Sequence, residues 1–169
     1  MLNEIRIRRS IRKYKDEPVS DERLEALLRS GMQAPSARNL QPWVFVVSRN
    51  RELMKRVPEV HPYSSMVPSA GAVILVCGNT EVQPETGYIL EDCSASVQNI
   101  LLEAVNQKLG AVWLGVYPRE DRVRGISELF HLPGHIIPVA LVSIGVPGEE
   151  KDFEDRFDPA KVHIDRWSN

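Results

Sequence analysis

Between residues 86 and 109, apolar side chains recur at the spacing of an α-helix with little interruption. Ile89, Cys93, Val97, Ile100 and Ala104 share one side, and Leu90, Leu101, Val105 and Leu109 widen the apolar arc. A helix apolar over that much of its circumference is a core helix, so the rest of the chain must supply its cover. Ser94, Ala95 and Ser96 are small enough to let a second helix approach closely. Gly110 stands where a C-terminal cap is expected.

The flanking segments supply candidate partners. The first dozen residues read as a short helix running into an extended segment at 14–17, and Pro18 stops any helix there. Ser20 is placed to cap an amphipathic helix reaching about residue 34, with Leu24, Leu27, Leu28 and Gly31 on one face. Val19 and Leu24 have the spacing of a hydrophobic staple. A strand is expected at 43–48 and a short helix from there to about residue 57. A buried strand at 72–77 precedes a short polar link at 79–85. After the long helix come a strand at 111–117, a helix at 119–130 and a buried strand at 136–145. Val162, Ile164 and Trp167 predict a last strand within 161–167. Strands alternating with helices give an α+β or α/β class, and the continuous apolar strands lean towards a parallel, doubly wound sheet. At 169 residues without a repeat or linker, the chain is expected to form one domain over 1–169.

Composition narrows the function classes. A net charge of −2 gives no global reason for nucleic-acid binding, although Arg6, Arg8, Arg9, Arg12, Lys13 and Lys15 cluster early. Tyr14 is the one aromatic among these basic residues, too few for a nucleic-acid arm with interleaved aromatics. No apolar run is long enough to span a bilayer, and the segment MLNEIRIRRS lacks the apolar core of a signal peptide. Cys77 and Cys93 have neither metal-ligand nor C-x-x-C spacing, and a reducing cytoplasm is the expected compartment. His131 and His135 have the interval of a helical metal pair, but Pro133 and Gly134 lie between them, so no metal is expected. A phosphate-binding P-loop, a G-x-S-x-G elbow and an H-E-x-x-H motif are all missing.

Two short stretches carry the chemistry. Arg8-Arg9-Ser10-Ile11-Arg12-Lys13-Tyr14 gathers guanidinium forks and a hydroxyl suited to an anion, although a solvated basic face would look the same. Pro35-Ser36-Ala37-Arg38-Asn39-Leu40-Gln41-Pro42-Trp43 is a proline-bounded loop whose Asn39 and Gln41 each donate and accept. Together, R-R-S-x-R-x-Y and P-S-x-x-N-x-Q-P-W at this spacing resemble the nitroreductase family of FMN-dependent oxidoreductases. The resemblance runs over practically the whole chain.

The implications of this resemblance are specific. The fold would be a three-layer α/β/α sandwich of α+β class, with a mixed central sheet flanked by helices and an intertwined homodimer. Arg8 and Ser10 match positions that hold the FMN phosphate, Arg12 the position at the pyrimidine edge, and Arg9 belongs to the same motif. Pro35, Ser36, Asn39 and Gln41 match a loop that reaches the FMN held mainly by the other subunit. The backbone at Leu114-Gly115, in the stretch 109–117, would approach the flavin atom that accepts hydride; glycine permits such an approach because it lacks Cβ. Gly145-x-Pro147 opens a tail whose Arg156, or less closely Lys151, would return to the phosphate amid Glu149, Glu150, Asp152, Glu154 and Asp155. The implied activity passes electrons from NADH or NADPH through FMN to nitroaromatics, quinones or similar small acceptors by a ping-pong scheme. No side chain stands out as an acid or base, in keeping with chemistry carried by the cofactor. A flavin reductase, a dehalogenase-like enzyme or a non-catalytic flavin binder of the same fold is the alternative.

Overall fold

The computed structural model describes residues 1–167. Its elements run α1 (Asn3–Ile7), α2 (Asp21–Met32), β1 (Trp43–Ser48), α3 (Arg51–Val60), β2 (Ala72–Asn79), α4 (Thr86–Asn106), β3 (Gly110–Gly115), α5 (Glu120–Phe130) and β4 (Ile136–Gly145). The four strands form one sheet in the order β1-β2-β4-β3. Every adjacent pair is antiparallel, which corrects the parallel, doubly wound reading. The reason lies in burial: all of β2 from Ala72 to Gly78 is buried, because helices cover both sheet faces. A strand covered twice is apolar along its whole length whichever way its neighbours run. A parallel component survives in an isolated bridge between Ser10 and Ala111.

Alternate residues of β2 feed two cores, giving the three-layer α/β/α sandwich. Ala72, Ile74 and Val76 pack with Leu24, Leu27, Ile89, Cys93, Val97 and Ile100 from α2 and α4. Val73, Leu75 and Cys77 pack with Met54, Val57, Ile126 and Leu129 from α3 and α5. The small residues of α4 act as expected: a Cβ on Gly31 of α2 would lie 3.0 Å from Ile100 and from the Ser96 hydroxyl. Ser20 caps α2 by accepting from the Arg23 amide, and Val19 and Leu24 are both buried.

Some boundaries differ from the sequence reading. Helix α3 continues to Val60 through Pro58, with the His61 amide still bonded to the Val57 carbonyl. Helix α4 ends at Asn106, and Lys108, not Gly110, takes the left-handed conformation, at φ 58°. Gly110 instead begins β3, and β3 stops at Gly115, short of the expected residue 117. No strand forms at 161–167; a 3-10 turn at Pro159–Lys161 leads into irregular chain with Ile164 77% exposed.

Two glycines fix the N-terminal segment to the sheet. A Cβ on Gly110 would stand 2.6 Å from Cγ2 of Ile11, and one on Gly145 would stand 2.8 Å from the Tyr14 ring. Ile11 is buried, its amide donates to the Ala111 carbonyl at 3.1 Å, and Tyr14 bridges to Pro147. The Tyr14 hydroxyl lies 2.9 Å from the Ile11 carbonyl oxygen and 3.1 Å from that of Ser143. Burial pushes its ionisation up to about 12, so it stays a donor. Gly110→Ala should therefore destabilise the fold by about 1–3 kcal/mol through overpacking against Ile11. Urea unfolding of the two proteins measures the difference; equal stabilities would show that Ile11 is not seated there.

Candidate functional site

The arginine motif lines a trough of about 670 Å³ that runs between the N-terminal segment and the tail. Arg8, Arg9, Ser10 and Arg12 stand on one wall, with Lys151, Phe153, Arg156 and Phe157 from the tail opposite. Arg8 is held below the ordinary arginine range, first by burial and then by the positive charges of Arg156 and Arg9. Three guanidinium groups thus converge in one concavity. Such a cluster repels itself and is relieved by an anion.

The tail is pinned across the motif by its own acids. The Glu149 carboxylate accepts from the Arg12 amide at 2.6 Å and from the Lys13 amide at 3.3 Å. These bonds, the Arg12 amide foremost, hold its carboxyl below the usual range. The Gly148 amide donates to the Lys13 carbonyl, and the Lys151 ammonium to the Ser10 carbonyl at 2.6 Å. Arg9 is largely committed to this clamp: its Nε donates to the Asp152 carbonyl at 2.6 Å, and its guanidinium lies over Phe153. Arg156 keeps a carboxylate partner, Glu154, at 3.1 Å on the exposed side. Within the acidic frame that accompanies Arg156 in the sequence, Glu149 is thus a backbone fastening, whereas Glu154 pairs with Arg156 itself.

Arg12 also lines a second cavity, of about 440 Å³, which extends over Leu114 and Gly115. Unlike Gly110 and Gly145, Gly115 meets nothing with an added Cβ: no other atom lies within 4 Å. Its backbone φ is not left-handed either, so neither packing nor conformation explains glycine there. Its carbonyl, by contrast, is firmly held. The His61 Nε2 lies 2.9 Å from it, and Nη1 of Arg122 donates to it at 3.0 Å. Burial, more than the Arg122 charge, holds the His61 imidazole below its ordinary value, which keeps it neutral. Neutral His61 donates from Nε2, leaving buried Nδ1 without a partner. His61, Tyr63 and Arg122 were not found by sequence reasoning, since each sits alone in a segment without a motif.

The loop that holds Pro35, Ser36, Asn39 and Gln41 lines neither cavity. It is tightly determined all the same. Arg38, Asn39 and Gln41 all have positive φ, near 54°, 55° and 52°. Such conformations cost on the order of 1 kcal/mol or more each in non-glycine residues, so surrounding bonds must impose them. The Ser36 hydroxyl accepts from the Gln41 amide at 2.9 Å, and the Gln41 side chain reaches Asn39. Buried Asp92 of α4 accepts from the Ala37 amide at 2.9 Å. Asn39 and Gln41 remain exposed.

No group of metal-ligating side chains occurs among the described residues. His131 ends α5 in the left-handed region, which breaks the register with His135. Cys77 and Cys93 are buried, and burial pushes both thiols up to about 12, so neither is a thiolate nucleophile.

The nitroreductase family model matches residues 5–65 and 59–146 of this chain. The chain belongs to the nitroreductase family. A Methanothermobacter thermautotrophicus protein, provisionally named NADH dehydrogenase/NAD(P)H nitroreductase, is 46% identical over 99% of this chain and 87% of its own. The FMN-dependent nitroreductase of Clostridium difficile R20291 superposes with a TM-score of 0.91 at 28% identity, covering 99% of this chain and 100% of its own. A provisionally named nitroreductase of Desulfovibrio desulfuricans, solved in complex with FMN, gives a TM-score of 0.83 at 31% identity over 98% and 96%. Among the described residues, no helix of this nitroreductase-family chain is long and apolar enough to cross a membrane.

The neutral His61 has a measurable consequence. Unfolded, it titrates near 6.5; folded, it titrates lower. Between those two values the unfolded chain holds the extra proton, so His61 costs stability as pH falls through 6.5 and nothing above it. His61→Gln keeps a donor for Gly115 without titrating, and should flatten the loss of stability between pH 7.5 and 5.5. Urea midpoints at the two pH values check this; identical slopes for both proteins would contradict a buried neutral imidazole.

Proposed function

We propose that the chain is an FMN-dependent NAD(P)H oxidoreductase acting as one domain over residues 1–169, in the cytoplasm and as a homodimer. The observation that carries this reading is that Arg12 lines both cavities. Convergent arginines lie at one end, and a strand glycine without a packing reason lies at the other. A phosphate suits the first and a flat ring lying against backbone suits the second, so the residues present fit FMN. Arg8, Ser10 and Arg156 would hold its phosphate, with Arg9 fastening the tail behind them, and Lys151 would secure the Ser10 backbone. Arg12 would face the electron-rich edge of its ring, where a fixed guanidinium offsets developing negative charge. Leu114 and Gly115 would form the floor. When bound, FMN supplies the hydride chemistry, taking electrons from NADH or NADPH and passing them to nitroaromatics, quinones or similar acceptors in a ping-pong order.

The chain's own contribution is to bind, orient and shield. Pro35, Ser36, Asn39 and Gln41 point to the homodimer, because their strained, preorganised loop lies outside both cavities of its own chain and is free to complete those of a second copy. The exposed apolar tail residues Phe153, Phe157 and Ile164 are consistent with the same assembly. A closed site built across two subunits would exclude water from the reacting face.

The protein should purify yellow as a dimer by sedimentation, releasing about one FMN per chain on denaturation. Arg8→Ala should weaken FMN binding by about tenfold or more, since charge-assisted bonds to phosphate are among the stronger ones. Lys13→Ala should change it little. Fluorescence titration of the apoprotein compares them. Bound FAD, a lack of flavin after reconstitution, or equal losses for the two variants would overturn the assignment.

A further inference from the structure

Flavin binding accounts for Arg12, Leu114 and Gly115 but leaves the far side of the second cavity unexplained. That side is made by His61, Tyr63 and Arg122. None of the ion pairs among the described residues involves Arg12 or Arg122. Most other arginines that could find an acid have done so: Arg29 with Glu25, Arg38 with Glu85, Arg49 with Asp21, Arg51 with Asp16. Of the Arg122 donors, Nη1 is used on the Gly115 carbonyl, and Nε is buried without a partner. Its guanidinium carbon lies 5.2 Å from the centre of the Tyr63 ring, which leans edge-on to His61. Tyr63 is 69% exposed, so the aromatic wall is open from outside. The cavity lining holds two arginines and not one carboxylate.

Resting on the flavin reading, the geometry points to an anion subsite for the electron acceptor: Arg122 receives a carboxylate borne by a planar aromatic acceptor. The planar fork of Arg122 matches a carboxylate, and Tyr63 and Trp113 offer ring surface beside it. The anion would sit at the edge of the flavin floor, because Arg122 is hydrogen-bonded to the Gly115 carbonyl. That closeness favours a compact aromatic acid over a dinucleotide, whose phosphates lie a ribose away from the nicotinamide. His61 is a positioning residue here: it shares the Gly115 carbonyl with Arg122 and fixes where the guanidinium stands.

Matched acceptors test this, with 4-nitrobenzoate set against 4-nitrobenzamide. Calorimetric titration of the full-length flavoprotein should show about tenfold tighter binding of the carboxylate, and kcat/KM should follow. The preference should shrink in high salt, since the site is partly open to solvent. Arg122→Gln should abolish it, Arg122→Lys should keep part of it, and Arg124→Gln on the same helix should leave it intact. Equal binding of the two acceptors by the wild-type protein, or a preference that survives Arg122→Gln, overturns the proposal. So does a loss of NADH-driven flavin reduction in Arg122→Gln as large as the loss of nitrobenzoate affinity, which would give the subsite to the donor. Should the variants not fold, the wild-type preference and its salt dependence decide alone. Failure of the flavin reading is separately visible, as a protein without FMN or without NAD(P)H oxidation by a neutral quinone.

Discussion

The seating of the N-terminal segment against the ends of β3 and β4 is the contact on which the site depends. Ile11 fills the space that a side chain at Gly110 would take, and the Tyr14 ring does the same over Gly145. Between them the backbone bonds to Ala111 and Val146 hold residues 10–15 in register with the sheet. Apolar burial fixes Ile11 and Tyr14, and the residues between and beside them, Arg8, Ser10 and Arg12, are thereby turned towards the trough. A sequence that alternates anchors and charges in this way lets a core contact position an anion cradle.

Charge is then distributed in two ways. Over most of the surface, arginines pair with acids, and such exposed pairs contribute little to stability. In the trough, Glu149 is drawn off to backbone amides and Glu154 to Arg156, while Arg8 stays beside Arg9 and Arg156 without a carboxylate of its own among the described residues. The result is a local excess of positive charge in a chain whose net charge is −2. An excess of this kind is uncompensated strain until an anion arrives, which is how a binding site differs from a salt-bridged surface.

Much of this was legible in the sequence because it depends on local signals. The long apolar period gave α4, Ser20 gave the start of α2, and R-R-S-x-R-x-Y with P-S-x-x-N-x-Q-P-W gave the family. Strand direction was not legible, since β2 is apolar on both faces under helices whichever way it runs. The end of α4 was misplaced because Gly110 looks like a cap, whereas its lack of a side chain makes room for Ile11. His61 and Arg122 could not be found either. They meet at the Gly115 carbonyl from positions 61 residues apart in the chain, and pairing of that kind exists only after folding.

The central claim is that the open face above Gly115 is reserved for the flavin ring, and one substitution tests it most directly. Valine is at home in a strand, and a Cβ at Gly115 touches nothing in the chain. Gly115→Val should therefore leave the urea midpoint unchanged while weakening FMN binding at least about tenfold, a loss of ~1.4 kcal/mol or more. A folded Gly115→Val protein that binds FMN as tightly as the wild type would place the cofactor elsewhere and contradict the account.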